Sequence, residues 1–86
     1  MVEARLIAFI ARSERRKEIL KLLRGERIGQ PTIMKKTNMY KSHVSRTLKE
    51  LLEQKLIICE NQEDRSFRFY KISKKGKDVL EETENI

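Results

Sequence analysis

The feature that most constrains this chain is a change of hydrophobic period at Leu56. Ahead of it, apolar residues recur three and four apart. Behind it, a run rich in branched apolar residues (56–60) is followed by a polar stretch (61–66) and an aromatic run (67–72). Side chains repeat about every 3.6 residues on a helix and every two on a strand, so the change places helices before a β-hairpin. The tip, Asn61-Gln62-Glu63-Asp64-Arg65-Ser66, has no Gly. A two-residue primed turn is therefore disfavoured and a looser, mobile loop is expected. After Ile72, Ser73 can cap a last helix over 74–84.

The helices before the change can be delimited. Ser13 suits an N-cap and Glu14 the positive end of a helix dipole, which predicts a helix over 14–24 with Ile19, Leu20, Leu22 and Leu23 on its apolar face. Gly25 is placed to end it in the left-handed conformation. Before Ser13, Val2, Leu6, Phe9 and Ile10 have helical spacing; 6–10 also suits a short strand or a dimerising arm, and an extra helix is preferred. Pro31 pre-sets a first-turn backbone angle, giving a short helix over 31–37 that Asn38 can end. A further helix, 41–55, carries Val44, Leu48, Leu51 and Leu52 within one arc of roughly 100°. The opposite arc holds Ser42, His43, Ser45, Arg46, Thr47, Lys49, Glu50 and Glu53. The last helix starts poorly: Gly76 lowers its propensity and Lys74, Lys75 and Lys77 crowd the positive end of its dipole. Something outside that helix is expected to favour those lysines.

Eighty-six residues, 38% of them apolar, are enough for one small α+β domain spanning 1–86 and no second core. The net charge of +7 is arranged in blocks: +4 over 1–24, +5 over 25–49, −4 over 50–64, +6 over 65–77 and −4 over 78–86. Such blocks give a small domain two electrostatic faces, and the basic excess points to a polyanionic partner, nucleic acid first. Cys59 is the single cysteine; it forms no intramolecular disulfide, fits a reduced compartment and reads as a small core residue in an apolar strand. One Cys and one His far apart do not make a tetrahedral zinc site, so neither metal nor cofactor is expected. The apolar run 6–11 is too short for a signal-peptide core or for a membrane span of about 20 residues, so a soluble cytoplasmic protein with no membrane partner is expected. No Gly-rich phosphate loop, nucleophile elbow or His-carboxylate set is present, and no enzymatic activity is expected.

Helix, short helix, tight turn, amphipathic helix, hairpin, helix is the order of a winged helix-turn-helix: a three-helix core, a hairpin wing at about 56–72 and a C-terminal helix. The stretch Ser42-His43-Val44-Ser45-Arg46-Thr47-Leu48-Lys49-Glu50-Leu51, followed by Glu53-Gln54-Lys55-Leu56-Ile57, resembles the S-H-V-S-R-x-L-K-E-L-x-E-x-G-L-V signature of winged-helix transcription regulators common in archaea and related to the MarR and ArsR groups. Arg68-Phe69-Tyr70-Lys71-Ile72-Ser73-Lys74-Lys75-Gly76 resembles their R-x-Y-x-L-T-x-x-G passage from wing to last helix. The likeness covers roughly 13–80. It departs at Asn38 and Lys55, where the family often has Gly. The left-handed conformation costs Asn less than Lys.

The resemblance implies a sequence-specific double-stranded DNA-binding regulator, with helix 41–55 in the major groove and the wing on the backbone or minor groove. The residue chemistry offers matching candidates. Ser42 and Ser45 can bond phosphates near a helix N-terminus; Arg46 and Lys49 share their face, Arg46 being suited to bidentate contact with guanine. His43, on the shoulder, either bonds a base edge or phosphate or is a solvated side chain. Lys35, Lys36 and Lys41 can hold flanking backbone, and Arg65 and Arg68 add charge at the wing, as does Lys71. Tyr70 and Ile72 are expected in the core, with Phe67 and Phe69 on the other strand face. These two pack under the N-terminal segment, stack on nucleic acid or line a subunit interface, packing being preferred. The bland alternative for Arg46 and Lys49 is a solvated face balanced by Glu50 and Glu53. A two-fold operator implies a homodimer, with Leu6, Phe9, Ile10, Val79, Leu80 and Ile86 either pairing copies or closing the core. The competing functions are a non-specific architectural DNA-binding protein and a winged-helix protein-interaction module in a larger complex. An RNA-binding domain is a weaker alternative, since single-strand readers show aromatic platforms more openly.

Overall fold

The computed structural model describes residues 2–64 and 67–85. Five helices and three short strands follow in the order α1 (Ala4–Ala11), α2 (Glu14–Gly25), β1 (Ile28–Gly29), α3 (Gln30–Thr37), α4 (Lys41–Glu53), β2 (Ile57–Cys59), β3 (Phe69–Ile72) and α5 (Lys74–Glu84). The sheet is antiparallel with strand order β1-β3-β2, pairing Ile28 with Tyr70 and Ile57 with Ile72. The segment before Ser13 is a helix, as its spacing favoured, and no described helix is long and apolar enough to cross a membrane.

The core is built from one stripe of every helix and one face of the sheet. Leu6, Ile10, Ile19, Leu20, Ile33, Val44, Leu51, Leu56, Val79 and Leu80 are completely buried. Each apolar side chain of this size removed from water contributes about 1.5–3 kcal/mol. Leu6, Ile10, Val79 and Leu80 thus close the core of the single chain, the second of the two roles open to them; Ile86 lies outside the described residues. Cys59, Tyr70 and Ile72 are buried as expected.

Several boundaries differ from expectation for local reasons. Gly25 remains helical and no glycine has positive φ; Glu26 leaves α2 fully extended (φ −165°, ψ 164°) because the chain runs straight into β1. That strand, two residues long, carries no readable period, and its partner lies some forty residues away. Helix α4 stops at Glu53 because Lys55 is left-handed (φ 61°): its N–H bonds the Leu52 carbonyl and the Leu56 N–H that of Leu51, the paired bonds of a Schellman turn. Asn38 takes the same conformation (φ 59°) and ends α3. Thr47, placed by the sequence on the solvent arc, is buried (4% exposed). It lies about 40° from Leu51 around the helix, at the edge of the apolar arc and under neighbouring packing.

The strands of the wing are shorter than expected, and residues 65 and 66 of its tip lie outside the described residues. Its ladder ends where the Asn61 side chain takes over the backbone groups, donating to the Phe67 carbonyl (2.6 Å) and accepting from the Phe69 N–H (2.8 Å). Strand β3 therefore starts at Phe69 rather than 67. Phe67 and Phe69 stack edge-on at 4.8 Å, Phe67 lying over Gly29, so this pair packs against β1 and not under the N-terminal segment.

The start of α5 explains its glycine. Ser73 caps the helix by accepting from the Gly76 N–H (2.9 Å), donates through its hydroxyl to the Lys55 carbonyl (2.8 Å) and donates its own N–H to the Leu56 carbonyl (3.0 Å). A β-carbon on Gly76 would lie 2.0 Å from the Leu56 carbonyl oxygen. Glycine here permits backbone contact and is not a weakness of the helix.

Candidate nucleic-acid interface

Helix α4 is positioned from both ends and from behind. At its N-terminus the α3–α4 turn is fixed by Asn38 N–H to the Met34 carbonyl (2.8 Å), by Thr37 Oγ1 to the Ile33 carbonyl (2.7 Å), and by Met39, whose side chain packs against the core. The Tyr40 carbonyl accepts the first amides of α4, from His43 and Val44 (both 3.1 Å). Behind it, Arg16 on α2 donates through Nε and Nη2 to both Glu50 carboxylate oxygens (3.2 and 3.0 Å) and through Nη1 to the Phe9 carbonyl (3.0 Å). Its guanidinium also stands 3.9 Å from the centre of the Phe9 ring. Arg16 thereby joins α1, α2 and α4, a structural use of a residue that the sequence offered only as charge.

The outward face of α4 is polar and uncovered. Ser42, Ser45, Arg46 and Lys49 are exposed, and at about 100° per residue they occupy one arc of roughly 100°. Lys41 is exposed at the first turn, and His43 is half-buried beside it, its ring edge-on to Tyr40 at 5.8 Å. Gln30 of α3 donates to Ser45 Oγ (2.7 Å), which leaves the hydroxyl hydrogen free to turn outward. Arg68, just before β3, donates through Nε to the Asp64 carbonyl (3.1 Å). It lines two shallow clefts between wing and helices, one with Lys41, Gln30 and Tyr70, the other with Ser45 and Lys49. The structure thus brings Lys41, Ser45, Lys49 and Arg68 together around the angle between α4 and the wing. Lys35 and Lys36 are exposed in the last turn of α3, outside both clefts. Arg65 lies outside the described residues.

Ion pairing engages only some of the basic side chains. Six basic side chains, Arg5, Arg16, Lys21, Arg24, Arg27 and Lys71, are in ion pairs with Glu3, Glu50, Glu84 and Glu60. Lys71 is therefore engaged at the outer face of the sheet, where hydrogen bonds from Arg27 and then Lys71 hold the Glu60 carboxyl below its usual range. Among the described residues none of Lys35, Lys36, Lys41, Arg46 and Lys49 forms an ion pair. Glu50, half of the expected counterweight to Arg46 and Lys49, is turned away to Arg16. At the wing base, burial pushes the Tyr70 phenol up; neighbouring Cys59 adds to this and Arg68 opposes it. Among the described residues no three of His, Cys, Asp and Glu are grouped to hold a metal ion.

Two features of this face escaped the sequence. Gln30 has no signal, since its partner is fifteen residues on. Tyr40 has one: an aromatic stands where an N-cap residue belongs, directly ahead of the polar arc.

No family model matches the chain, and no curated protein matches it in sequence. Solved structures match it in shape. A doubly substituted ZitR from Lactococcus lactis shares 24% identity at a TM-score of 0.74, over 85% of this chain and 51% of that one. The adhesin competence repressor AdcR from Streptococcus pyogenes shares 19% at 0.74, over 92% and 63%. Reduced HlyU from Vibrio cholerae shares 21% at 0.77, over 95% and 82%. A helix pair α3–α4 joined by a three-residue turn, then a hairpin flanking α4 and a closing helix, decides the class. The fold is a winged helix-turn-helix. In the terms of that fold α3–α4 is the helix-turn-helix pair and the hairpin β2–β3 the wing. The chain spans about half the length of ZitR and less than two thirds of AdcR.

Proposed function

We propose that this winged helix-turn-helix binds double-stranded DNA as a transcription regulator, with the outward face of α4 in the major groove and the wing base on the backbone or minor groove. The observation that carries the reading is the run of exposed, unpaired cations along α3 and α4. The exposed cations of α3 and α4 have no acidic partner among the described residues, while Glu50, at the border of the α4 arc, is held by Arg16 of α2. A row of unpaired cations along one helix raises the local concentration of phosphate and releases counterions on binding. Arg46 supplies base discrimination, Ser42, Ser45, Lys41 and Lys49 hold register, and Lys35, Lys36, Arg65 and Arg68 extend the phosphate track. That a solved relative in shape bears the name of a repressor supports the same role.

The test is fluorescence anisotropy of a labelled mixed-sequence duplex titrated at several salt concentrations. The reading expects binding that weakens linearly in the logarithm of salt, with a slope corresponding to several phosphates. The double change Arg46→Ala and Lys49→Ala is expected to weaken binding at least tenfold and, through Lys49, to reduce that slope by about one phosphate, with the circular dichroism spectrum unchanged. Equal affinity of the double variant at matched salt would remove α4 from the contact. Pairing of two copies on a two-fold site belongs to this proposal. It would use surfaces other than the buried Leu6, Ile10, Val79 and Leu80. Light-scattering mass, alone and on the duplex, tests that part.

A further inference from the structure

Tyr40 is 77% exposed, more than the other exposed large apolar residues described, Ile58 and Phe67. It occupies the N-cap position of α4, where Ser, Thr, Asp or Asn would accept a first-turn amide, and its side chain makes no such bond. The sequence thus gives up a capping interaction and leaves a phenol ring in water at the same position. Local rules are most often broken in this way where a residue serves something outside the fold.

The surroundings make the ring's placement definite. Asn38, Thr37 and the buried side of Met39 fix the turn, and the Tyr40 carbonyl is held by two α4 amides. The His43 ring meets it at an interplanar angle of 61°, which biases the rotamer of the phenol. The next residues, Lys41 and Ser42, begin the exposed face of α4. The N-terminal residues of a recognition helix are the ones that meet base edges. A neutral ring at that point complements an apolar edge in the groove, and the thymine methyl is the apolar group the major groove presents.

We infer that Tyr40 is a specificity-determining contact, its ring packing against base edges at the end of the groove that α4 enters, with His43 orienting it. This rests on the duplex-binding reading above. Because the chain has two tyrosines and no tryptophan, the emission difference between wild type and Tyr40→Phe reports Tyr40 alone. On titration with the mixed-sequence duplex this difference is expected to fall as the anisotropy of a labelled copy rises. Tyr40→Ala is expected to lose roughly fivefold or more in affinity with an unchanged salt slope, while Tyr40→Phe keeps affinity near wild type, because the ring and not the hydroxyl makes the contact. The side chain is largely in water, so circular dichroism of both variants is expected to match wild type. Duplex binding with unchanged Tyr40 emission and wild-type affinity for Tyr40→Ala overturns the inference and leaves the function standing. A Phe variant as weak as Ala overturns it in favour of a hydroxyl–phosphate contact. No duplex binding by wild type overturns both.

Discussion

Gly76→Ala sets two physical effects of opposite sign against each other. Inside a helix, Ala is favoured over Gly by about 1 kcal/mol through backbone entropy alone. In this structure the new methyl would lie 2.0 Å from the Leu56 oxygen, 3.0 Å from its carbonyl carbon and 2.8 Å from Ile72 Cγ1. Carbon and carbonyl oxygen ordinarily approach to about 3.3 Å, so α5 must withdraw by about 1.3 Å. The obstacle is backbone and has no rotamer through which to yield. Withdrawal strains or breaks two hydrogen bonds that Ser73 makes across the gap, to the Leu56 carbonyl at 3.0 Å and the Lys55 carbonyl at 2.8 Å. Overpacking costs about 1–3 kcal/mol and each lost bond about 1 kcal/mol, so after the propensity gain the net destabilisation is about 2–4 kcal/mol. For a domain of this size that is a fall in melting temperature of roughly 10–25 °C. Urea and thermal denaturation followed by far-ultraviolet circular dichroism measure it. Lys75→Gly, at an exposed position in the same turn, isolates the propensity term and should cost about 1 kcal/mol. A Gly76→Ala variant as stable as wild type, or more so, would show that α5 does not approach Leu56 this closely.

Arg16→Ala removes a bidentate ion pair, a bond to the Phe9 carbonyl and a ring contact at once, and is expected to cost about 2–3 kcal/mol. A double-mutant cycle with Glu50→Gln should show coupling above about 1 kcal/mol, and additive effects would mean the two side chains do not meet. Lys55→Gly is expected to stabilise by about 0.5–1 kcal/mol, because relief of the left-handed strain exceeds the added chain entropy of Gly; a lower urea midpoint would contradict the Schellman turn. Glu60 is held low by Arg27 and Lys71, so its folded value lies below its unfolded one. The stability it contributes is present above that unfolded value, near 4.5, and is lost as pH falls through the folded value. The stability gap between wild type and Glu60→Gln should therefore narrow on acidification, and a gap independent of pH would reject the pairing.

The helices were legible because each carries its own evidence within one or two turns: Ser13 and Ser73 cap as hydroxyls should, Pro31 lies in the first turn of α3, and Val44, Leu48 and Leu51 repeat at helical spacing. What stayed hidden depends on partners distant in sequence. Strand β1 exists because Tyr70 and Phe69 lie beside Ile28 and Gly29. Gly76 read as a flaw in a helix until Leu56 stood against it. Arg16 and Arg46 are the same residue type on amphipathic helices, and only the fold separates them, the first turned in on Glu50 and the second outward. The basic excess was readable as composition, but which cations are taken up in ion pairs was not.

On the duplex-binding proposal, the Arg16–Glu50 pair bears on which part of α4 would do the reading. At about 100° per residue, Glu53 falls inside the arc of Ser42, Ser45, Arg46 and Lys49, whereas Glu50 lies about 80° from Ser42 and within reach of Arg16. The ion pair therefore removes one acid from the face and leaves the other only in the final turn. From Lys41 to Lys49 the face is cationic, and its first turn, Lys41 to Val44, lies at the positive end of the helix dipole, where phosphate is favoured. At Glu53 the sign reverses and a phosphate would be repelled. On the duplex-binding proposal, a helix charged in this way would enter a groove by its first three turns and leave its C-terminal turn outside. Arg68 at the wing base lies beside Lys41, Ser45 and Lys49, along the cationic stretch and short of the acidic turn. Arg16 thus joins α1, α2 and α4, and on the duplex-binding proposal its hold on Glu50 would also keep an acid off the side of α4 that meets phosphate.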